Sequence, residues 1–315
     1  MPANENENDR RDFLKCMAWA GTGALFALNS GVPSSLSLDA AIAAPMRGTA
    51  APHAFSFLQV SDSHIGFNKP PNADARATFH EAIAKVKALP VQPDFIIHTG
   101  DVSQLSKPEE FDDADQILRE AGLPVFFVPG EHDMLDPEGG KEFLNRFGKG
   151  TRGAGWYSFD HKGVHFVGLV NVADLKPGGM GNLGNEQLRW LKADLGGRPS
   201  STPIVVFTHI PMWTVYADWG WGTDDAAEAL KLLARFGSVT VLNGHIHQIA
   251  QKVEGHVAFH TARSTAFPQP APGTAPSPGP LKVPADQLHG LLGITDAMFV
   301  RGRERIALID STLSY

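Results

Sequence analysis

The chain has 315 residues, of which 43% are hydrophobic and 19% are charged, so it can bury a sizeable core and is not globally disordered. Its formal net charge of −7 argues against a basic surface that would hold nucleic acid in a stable complex. The single cysteine, Cys16, excludes a disulfide framework and a cysteine-based zinc site. The 13 histidines are therefore the main candidates for functional chemistry.

The N-terminal segment resembles a twin-arginine export signal. Arg10 and Arg11 precede an apolar run from Met17 to Leu28, which at about 12 residues is shorter than the roughly 20 that a bilayer span requires. The small residues Ala41 and Ala43 are spaced as in a signal-peptide cleavage site, with cleavage expected before Ala44. An ordinary N-terminal helix and an uncleaved membrane tether are the alternative interpretations.

This resemblance predicts the domain organisation and the location of the protein. Residues 1–43 would be a signal peptide, and residues 44–315 one folded domain. The segment would engage the twin-arginine translocation machinery, so the mature protein would be periplasmic or secreted.

Strand and helix patterns alternate along the rest of the chain. In chain order we predict a strand at 55–60, a helix at about 74–89, a strand at 95–97, a helix beginning at Pro108, strands at 125–128, about 156–159 and about 164–170, a helix at about 184–195, a strand at 204–207, a helix at about 224–235 and a strand at 239–242. Segments at about 248–261 and 297–309 are predicted to be antiparallel β-structure, and the Pro-rich residues 268–284 between them a surface loop. The alternation indicates a layered α/β fold with functional groups at the C-terminal ends of the strands.

Polar clusters follow five of the predicted strands. They are Asp62-Ser63-His64, Gly100-Asp101, Gly130-Glu131-His132-Asp133, His209 and Gly244-His245-Ile246-His247. Because the C-terminal ends of parallel strands meet at one edge of a sheet, these clusters are expected to converge in space. Carboxylates with imidazoles and without thiolates suit Mn, Fe or Zn.

This ordered set of motifs resembles the calcineurin-like metallophosphoesterase family, whose sequence reads Asp-x-His, Gly-Asp, Gly-Asn-His-Asp/Glu, His and Gly-His-x-His. The resemblance extends over about residues 55–262. It implies an α/β fold built as a four-layer α/β/β/α sandwich. It also implies hydrolysis of a small phosphoester by a hydroxide that is activated at a binuclear metal site.

The resemblance assigns a role to each residue of the clusters. Asp101 would bridge two metal ions, and His132 would donate a proton to the leaving group. Asp133 would accept a hydrogen bond from His132 and fix its tautomer. The remaining ligands would be Asp62, His64 and His247 for the first metal, and Glu131, His209 and His245 for the second.

Glu131 departs from the family pattern, which places Asn at this position. Glutamate adds a negative charge and has no donor when it is ionised. The site is therefore expected to hold a trivalent ion such as Fe³⁺, to favour a phosphodiester monoanion over a monoester dianion, or to bind its second metal differently and turn over poorly. Our hypothesis for the cofactor is two metal ions, Fe and/or Mn, with Zn possible.

Two functional alternatives stay open from the sequence. One is a phosphodiesterase for cyclic nucleotides or lipid head groups, and the other is a metal-binding protein with little hydrolytic turnover. The His132-Asp133 pair argues against the second, since a metal store needs no proton donor. The oligomeric state is not determined by the sequence.

Three neighbouring features have weaker interpretations. Purple acid phosphatases place Tyr three residues after the bridging aspartate, where this chain has Gln104, so an iron–tyrosinate colour is not expected. His98 is interpreted as a packing residue rather than a ligand. An aromatic loop after His209 would either stack on a leaving group or pack internally; it contains Trp213, Tyr216, Trp219 and Trp221.

Overall fold

A computed structural model of the chain describes residues 24–29, 32–37, 54–300 and 306–314. The chain divides into two units, Met1–Pro52 and His53–Tyr315. The first unit contains an antiparallel hairpin of β1 (Ala24–Asn29) and β2 (Val32–Ser37). The predicted arginine pair and the predicted cleavage site lie outside the described residues.

The second unit alternates strands and helices over its described residues. The strands are β3 (Phe55–Val60), β4 (Ile96–His98), β5 (Val125–Phe127), β6 (Tyr157–His161), β7 (Val164–Gly168), β8 (Ile204–Phe207), β9 (Val239–Asn243), β10 (Gln251–Glu254), β11 (Val257–Thr261), β12 (Gly293–Phe299) and β13 (Ala307–Thr312). The α-helices are α1 (Ala75–Lys87), α2 (Pro108–Arg119), α3 (Lys141–Phe147), α4 (Gly184–Leu195), α5 (Ala226–Leu233) and α6 (Ala285–Leu288). In the described ranges, no helix combines the length and the apolar character needed to cross a bilayer.

The described strands of the second unit form two mixed sheets. One has the order β13-β12-β3-β4-β5, in which β3, β4 and β5 run parallel. The other has the order β10-β11-β9-β8-β7-β6, in which β7, β8, β9 and β11 run parallel. Of the parallel strands that carry the polar clusters, β3, β4, β8 and β9 lie inside their sheets, whereas β5 forms an edge. The antiparallel strands β13, β10 and β6 form the other three edges.

The two sheets pack face to face through a core rich in phenylalanine. Phe57 and Phe95 of the first sheet stack with their ring centroids 5.2 Å apart, and Phe166 of the second sheet meets Phe95 edge-on at 5.3 Å. On the outer faces, α1 and α2 pack against the first sheet, and α4 and α5 pack against the second. The predicted four-layer α/β/β/α sandwich is confirmed.

Most predicted elements coincide with observed ones. Residues 55–60, 184–195 and 204–207 form elements with the predicted bounds. The predicted antiparallel structure of the tail is confirmed for the pairs β10–β11 and β12–β13, and β11 also pairs in parallel with β9, which the sequence did not predict. Local alternation of side chains reveals a strand but not its partner, which the packing of the whole domain selects.

A buried charge cluster links strand β7 to helix α4 away from the polar clusters. His165 is fully buried, with Nδ1 2.9 Å from Oδ1 of Asp160 and Nε2 2.7 Å from Oδ2 of Asp194. Burial acts to raise the pKa of Asp194, but the hydrogen bonds from His165 and Ser158 outweigh it and hold the pKa below its usual value. The ionised carboxylate therefore stabilises the fold.

We expect Asp194→Asn to lower the free energy of unfolding at pH 7 by about 1–2 kcal/mol, since it removes the charged partner of a buried histidine. A depressed carboxyl pKa stabilises the fold above the unfolded-state pKa, and this contribution is lost as the pH falls through the folded-state pKa. The difference in Tm between variant and wild type should therefore be largest at pH 7 and shrink at pH 3. Exposed Asp286→Asn is the control, and a difference that grows towards pH 3 would contradict this account.

Candidate metal centre

Three candidate ligands lie close together just after the C-terminal ends of β3 and β9. They are Asp62 and His64, which follow β3, and His247, which follows β9. Oδ1 of Asp62 lies 3.3 Å from Nε2 of His247, which lies 3.2 Å from Nε2 of His64. Suitable donor atoms of the three residues all lie within 4.8 Å of one another. Each residue is at most 2% exposed, so this first group is shielded from solvent.

A second group lies at the ends of β5, β8 and β9. Oε2 of Glu131 is 2.9 Å from Nε2 of His209, and its Oε1 is 3.0 Å from Nδ1 of His245. The carboxylate of Glu131 thus faces both imidazoles at once. Its side chain remains 27% exposed, so this group lies closer to the surface than the first.

Asp101, at the end of β4, lies between the two groups. Its Oδ2 is 3.4 Å from Nε2 of His64 in the first group and 3.5 Å from Nε2 of His209 in the second. Its Oδ1 accepts a hydrogen bond from the backbone N–H of His132 at 2.9 Å, which fixes the orientation of the carboxylate. One oxygen atom is therefore placed to be shared between two cations.

The donor atoms of the second group behave as ligands rather than as hydrogen-bonding partners. Nε2 of His209, both ring nitrogens of His245 and Oε2 of Glu131 are buried and form no hydrogen bond, although the ion-pair distances are 2.9 and 3.0 Å. Buried polar atoms without partners are rare and costly. A cation between them would satisfy Nε2 of His209, Oε2 of Glu131 and one ring nitrogen of His245, so the residues present fit a metal ion.

Backbone carbonyls bind Nδ1 of two imidazoles, on the side of each ring that faces away from the centre. Nδ1 of His209 lies 2.7 Å from the carbonyl of Thr99, and Nδ1 of His247 lies 2.5 Å from the carbonyl of Phe267. Because a carbonyl only accepts, these Nδ1 atoms carry the proton and the Nε2 lone pairs face the centre. Neither Thr99 nor Phe267 belongs to a recognisable motif, so neither contact could be predicted from the sequence.

The backbone at the centre adopts an unfavourable conformation at several ligands. The described non-glycine residues with positive φ number seven, and five of them are candidate ligands, with φ between 41° and 70°: Asp62, His64, Asp101, His245 and His247. Left-handed backbone at such residues costs on the order of 1 kcal/mol or more each and is typical of functional sites. These sharp turns direct Asp62, His64 and His247 into the first group and His245 into the second.

Two glycines allow the strand ends to approach the ligands closely. A Cβ atom on Gly130 would lie 2.1 Å from Oδ1 of Asp101. One on Gly244 would lie 2.1 Å from Oγ of Ser61 and 2.6 Å from Oδ2 of Asp62. Any larger residue would therefore displace a candidate ligand.

Electrostatics favours ionised carboxylates in both groups. Burial acts to raise the pKa of Asp62, but the charge of His247 and the hydrogen bond to it lower the pKa well below the usual value. For Glu131, burial is likewise outweighed by His245 and His209, which hold its pKa low. Burial lowers the pKa of His64 to about 3, so this imidazole is neutral at pH 7, as a metal ligand must be.

His132 and Asp133 lie beside the centre, but they do not contact each other as predicted. Nδ1 of His132 lies 2.7 Å from the backbone carbonyl of Gln104 instead. Asp133 is fully buried and accepts hydrogen bonds from the backbone N–H groups of Val102, Ser103 and Gly130 and from Oγ of Ser103. The predicted role of Asp133 in fixing the His132 tautomer is therefore wrong, because its carboxylate is used to join two loops.

His98 and the aromatic loop after His209 have packing roles. His98 is buried, its Nε2 lies 3.0 Å from Oγ of Ser63, and burial lowers its pKa to about 4. In the aromatic loop, Trp221 is fully buried and meets Trp219 edge-on at 5.1 Å, and Trp219 meets Tyr216 at 5.2 Å. These rings pack on one another, which favours the packing interpretation.

Comparisons with known proteins agree with this geometry. Residues 55–249, well over half of the chain, match the family model described as calcineurin-like phosphoesterase. A probable cyclic nucleotide phosphodiesterase of Psychrobacter sp. is 27% identical over 61% of this chain and 57% of its own length. The 3′,5′-cyclic adenosine monophosphate phosphodiesterase of Haemophilus influenzae is 28% identical over 61% of this chain and 69% of its own length.

A third relative and a solved structure extend the comparison. A probable glycerophosphodiester phosphodiesterase of Arcobacter nitrofigilis is 23% identical over 66% of this chain and 77% of its own length. The crystal structure of a dimetal phosphatase from Danio rerio superposes with a TM-score of 0.62 at 13% identity, over 82% of this chain and 96% of that chain, which shows the shared fold. The chain therefore belongs to the calcineurin-like phosphoesterase family, a family of metal-dependent phosphoester hydrolases.

Proposed function

We propose that this chain hydrolyses small phosphodiesters with two metal ions bound at the candidate centre. The observation that carries the proposal is the position of Asp101, whose Oδ2 lies 3.4 Å from His64 and 3.5 Å from His209. A single carboxylate shared by two groups of ligands is the arrangement that a pair of cations requires.

Each group would hold one of the ions. Asp62, His64 and His247 would bind the first, and Glu131, His209 and His245 the second, with Asp101 contacting both. When bound, such ions make water more acidic and neutralise charge on phosphoryl oxygens. Imidazole and carboxylate ligands without thiolates favour Fe and/or Mn, and Zn also fits this set.

The charge of the centre supports a diester rather than a monoester substrate. Glu131 brings the carboxylates to three, so two divalent ions would leave one net positive charge. That charge matches a phosphodiester monoanion, whereas an asparagine at this position would leave two positive charges to meet a monoester dianion. The relatives named as phosphodiesterases support the same substrate class, with cyclic nucleotides and glycerophosphodiesters as candidates.

His132 would act as the proton donor to the leaving group. Its ring lies edge-on to that of His64, with the centroids 4.8 Å apart, and its side chain is shielded from most solvent. Burial acts to lower the pKa of His132, but the charges of Asp101 and Glu131 outweigh it and raise the pKa, which favours a ring that carries a proton to donate. This donor argues against a protein that only stores metal.

Metal binding tests the shared carboxylate directly. We expect the wild-type chain to bind two Mn²⁺ ions, and Asp101→Asn to weaken both sites because it removes a charge that the two ions share. Isothermal titration calorimetry on the metal-stripped protein measures both affinities. Exposed His256→Ala should bind as wild type does, and an Asp101→Asn variant with two unchanged sites would refute the arrangement.

The negative charge of Glu131 is expected to set the substrate preference. Glu131→Asn should raise the ratio of kcat/KM for 4-nitrophenyl phosphate over methyl 4-nitrophenyl phosphate by about tenfold or more, since it adds one net positive charge near the phosphoryl group. Glu131→Gln keeps the length of the side chain and removes only its charge, so it should shift the ratio in the same direction. If the ratio of kcat/KM for the two esters and the metal content are unchanged in both variants, the charge of Glu131 does not set the substrate preference.

We also propose that the protein is exported by the twin-arginine route. The support is the sequence pattern of Arg10 and Arg11 followed by a short, weakly apolar run. Export of an already folded chain would suit a protein whose metal is chosen in the cytoplasm.

This proposal predicts a change in location. Replacing both arginines, by Arg10→Lys with Arg11→Lys, should leave most of the protein in the cytoplasmic fraction of a bacterial host that has the translocation machinery. Fractionation and immunoblotting measure the distribution, with Lys15→Arg as the matched control. Equal amounts of wild type and double variant in the periplasm would rule the route out.

A further inference from the structure

The catalytic histidine needs a partner that sets the orientation of its ring, and Asp133 is not that partner. The main chain of His132 is held at both ends: its N–H donates to Asp101, and its carbonyl accepts from Oγ of Ser106 at 2.7 Å. These contacts fix the backbone and leave the rotation of the imidazole to whatever binds Nδ1.

Two groups of Gln104 lie within hydrogen-bonding distance of Nδ1 of His132. The backbone carbonyl of Gln104 lies 2.7 Å from this nitrogen, and its side-chain carboxamide lies 3.3 Å from the same atom. Since a carbonyl only accepts, Nδ1 of His132 is protonated, and Nε2 is the nitrogen that exchanges a proton with substrate.

The tautomer also fixes which end of the carboxamide faces the ring. The amide Nε2 of Gln104 cannot donate to a nitrogen that already carries a proton, so the group must be turned by 180° to present Oε1 as an acceptor. In the described part of the chain Oε1 is buried and has no hydrogen-bond partner, so this rotation breaks no bond there. Gln104 then offers two oxygens to one N–H group.

We infer that Gln104 is a positioning residue for proton transfer by His132 to the leaving group, an inference that rests on the proposed function. As hydroxide attacks phosphorus and the bond to the leaving oxygen breaks, Nε2 gives its proton to that oxygen. The imidazole is left neutral with its proton on Nδ1, where both oxygens of Gln104 hold it. Gln104 touches neither substrate nor metal in this role.

Dependence on the leaving group distinguishes this role from a structural one. A good leaving group departs without protonation, whereas a poor one requires it. Gln104→Met keeps the length of the side chain and removes the accepting oxygen. We expect it to lower kcat/KM about fivefold for methyl phenyl phosphate, and less than about twofold for methyl 4-nitrophenyl phosphate.

Two further variants complete the experiment. Gln104→Glu still offers an acceptor and should retain the wild-type dependence on the leaving group. Gln269→Met is the matched control: that amide donates to the carbonyl of His245 at 3.1 Å and does not contact His132, so its effect should be equal for both esters. Metal content and Tm are measured for every variant, and for Gln104→Met both should match wild type.

The results distinguish a failure of the role of Gln104 from a failure of the proposed function. Equal losses on both esters in Gln104→Met would mean a structural role only, and no loss would mean that the side chain is not needed; either result overturns the inference and leaves the proposed function standing. A metal-loaded wild type that cleaves neither ester would overturn the proposed function and this inference with it.

Discussion

The arrangement of the whole centre depends on one carboxylate oxygen that is shared between two sets of imidazoles. Oδ2 of Asp101 lies almost equally far from His64 and His209, which are carried by strands of different sheets. That position exists only because the two sheets pack face to face through their phenylalanine core. The layered fold therefore brings residues that are far apart in sequence into one candidate site for a pair of cations.

The stability of the surrounding fold also offsets the energetic cost of the centre. Five ligands hold left-handed backbone conformations, and several buried nitrogens have no hydrogen-bond partner in the described structure. Each of these features costs stability without a bound cation. The surrounding layers of strands and helices, together with buried Asp133 joining the loops at 101–103 and 130, keep the ligands in place despite that cost. Metal binding is thus expected to relieve strain as well as to provide chemistry.

The sequence predicted the layers and the convergence of the ligands because both follow from local patterns. Apolar runs marked β3 and β8, and the Asp, Gly or His residues that follow the strands marked the polar edge. It could not predict that β11 pairs with β9, since the choice of partner depends on the whole domain. The family resemblance assigned the orientation of His132 to Asp133, whereas the acceptor comes from Gln104, 28 residues away in the chain. Contacts made by backbone carbonyls leave no mark in a sequence.

Glu131 faces His209 and His245 together, and in the proposed function its charge selects the substrate class. The central claim is nevertheless the shared carboxylate. Anomalous X-ray diffraction from crystals of the Mn²⁺-loaded protein tests it most directly. Two anomalous peaks, one at each group and both within bonding distance of Asp101, are the expected result. A single peak, or two peaks with Asp101 bound to neither or only one, would contradict the account.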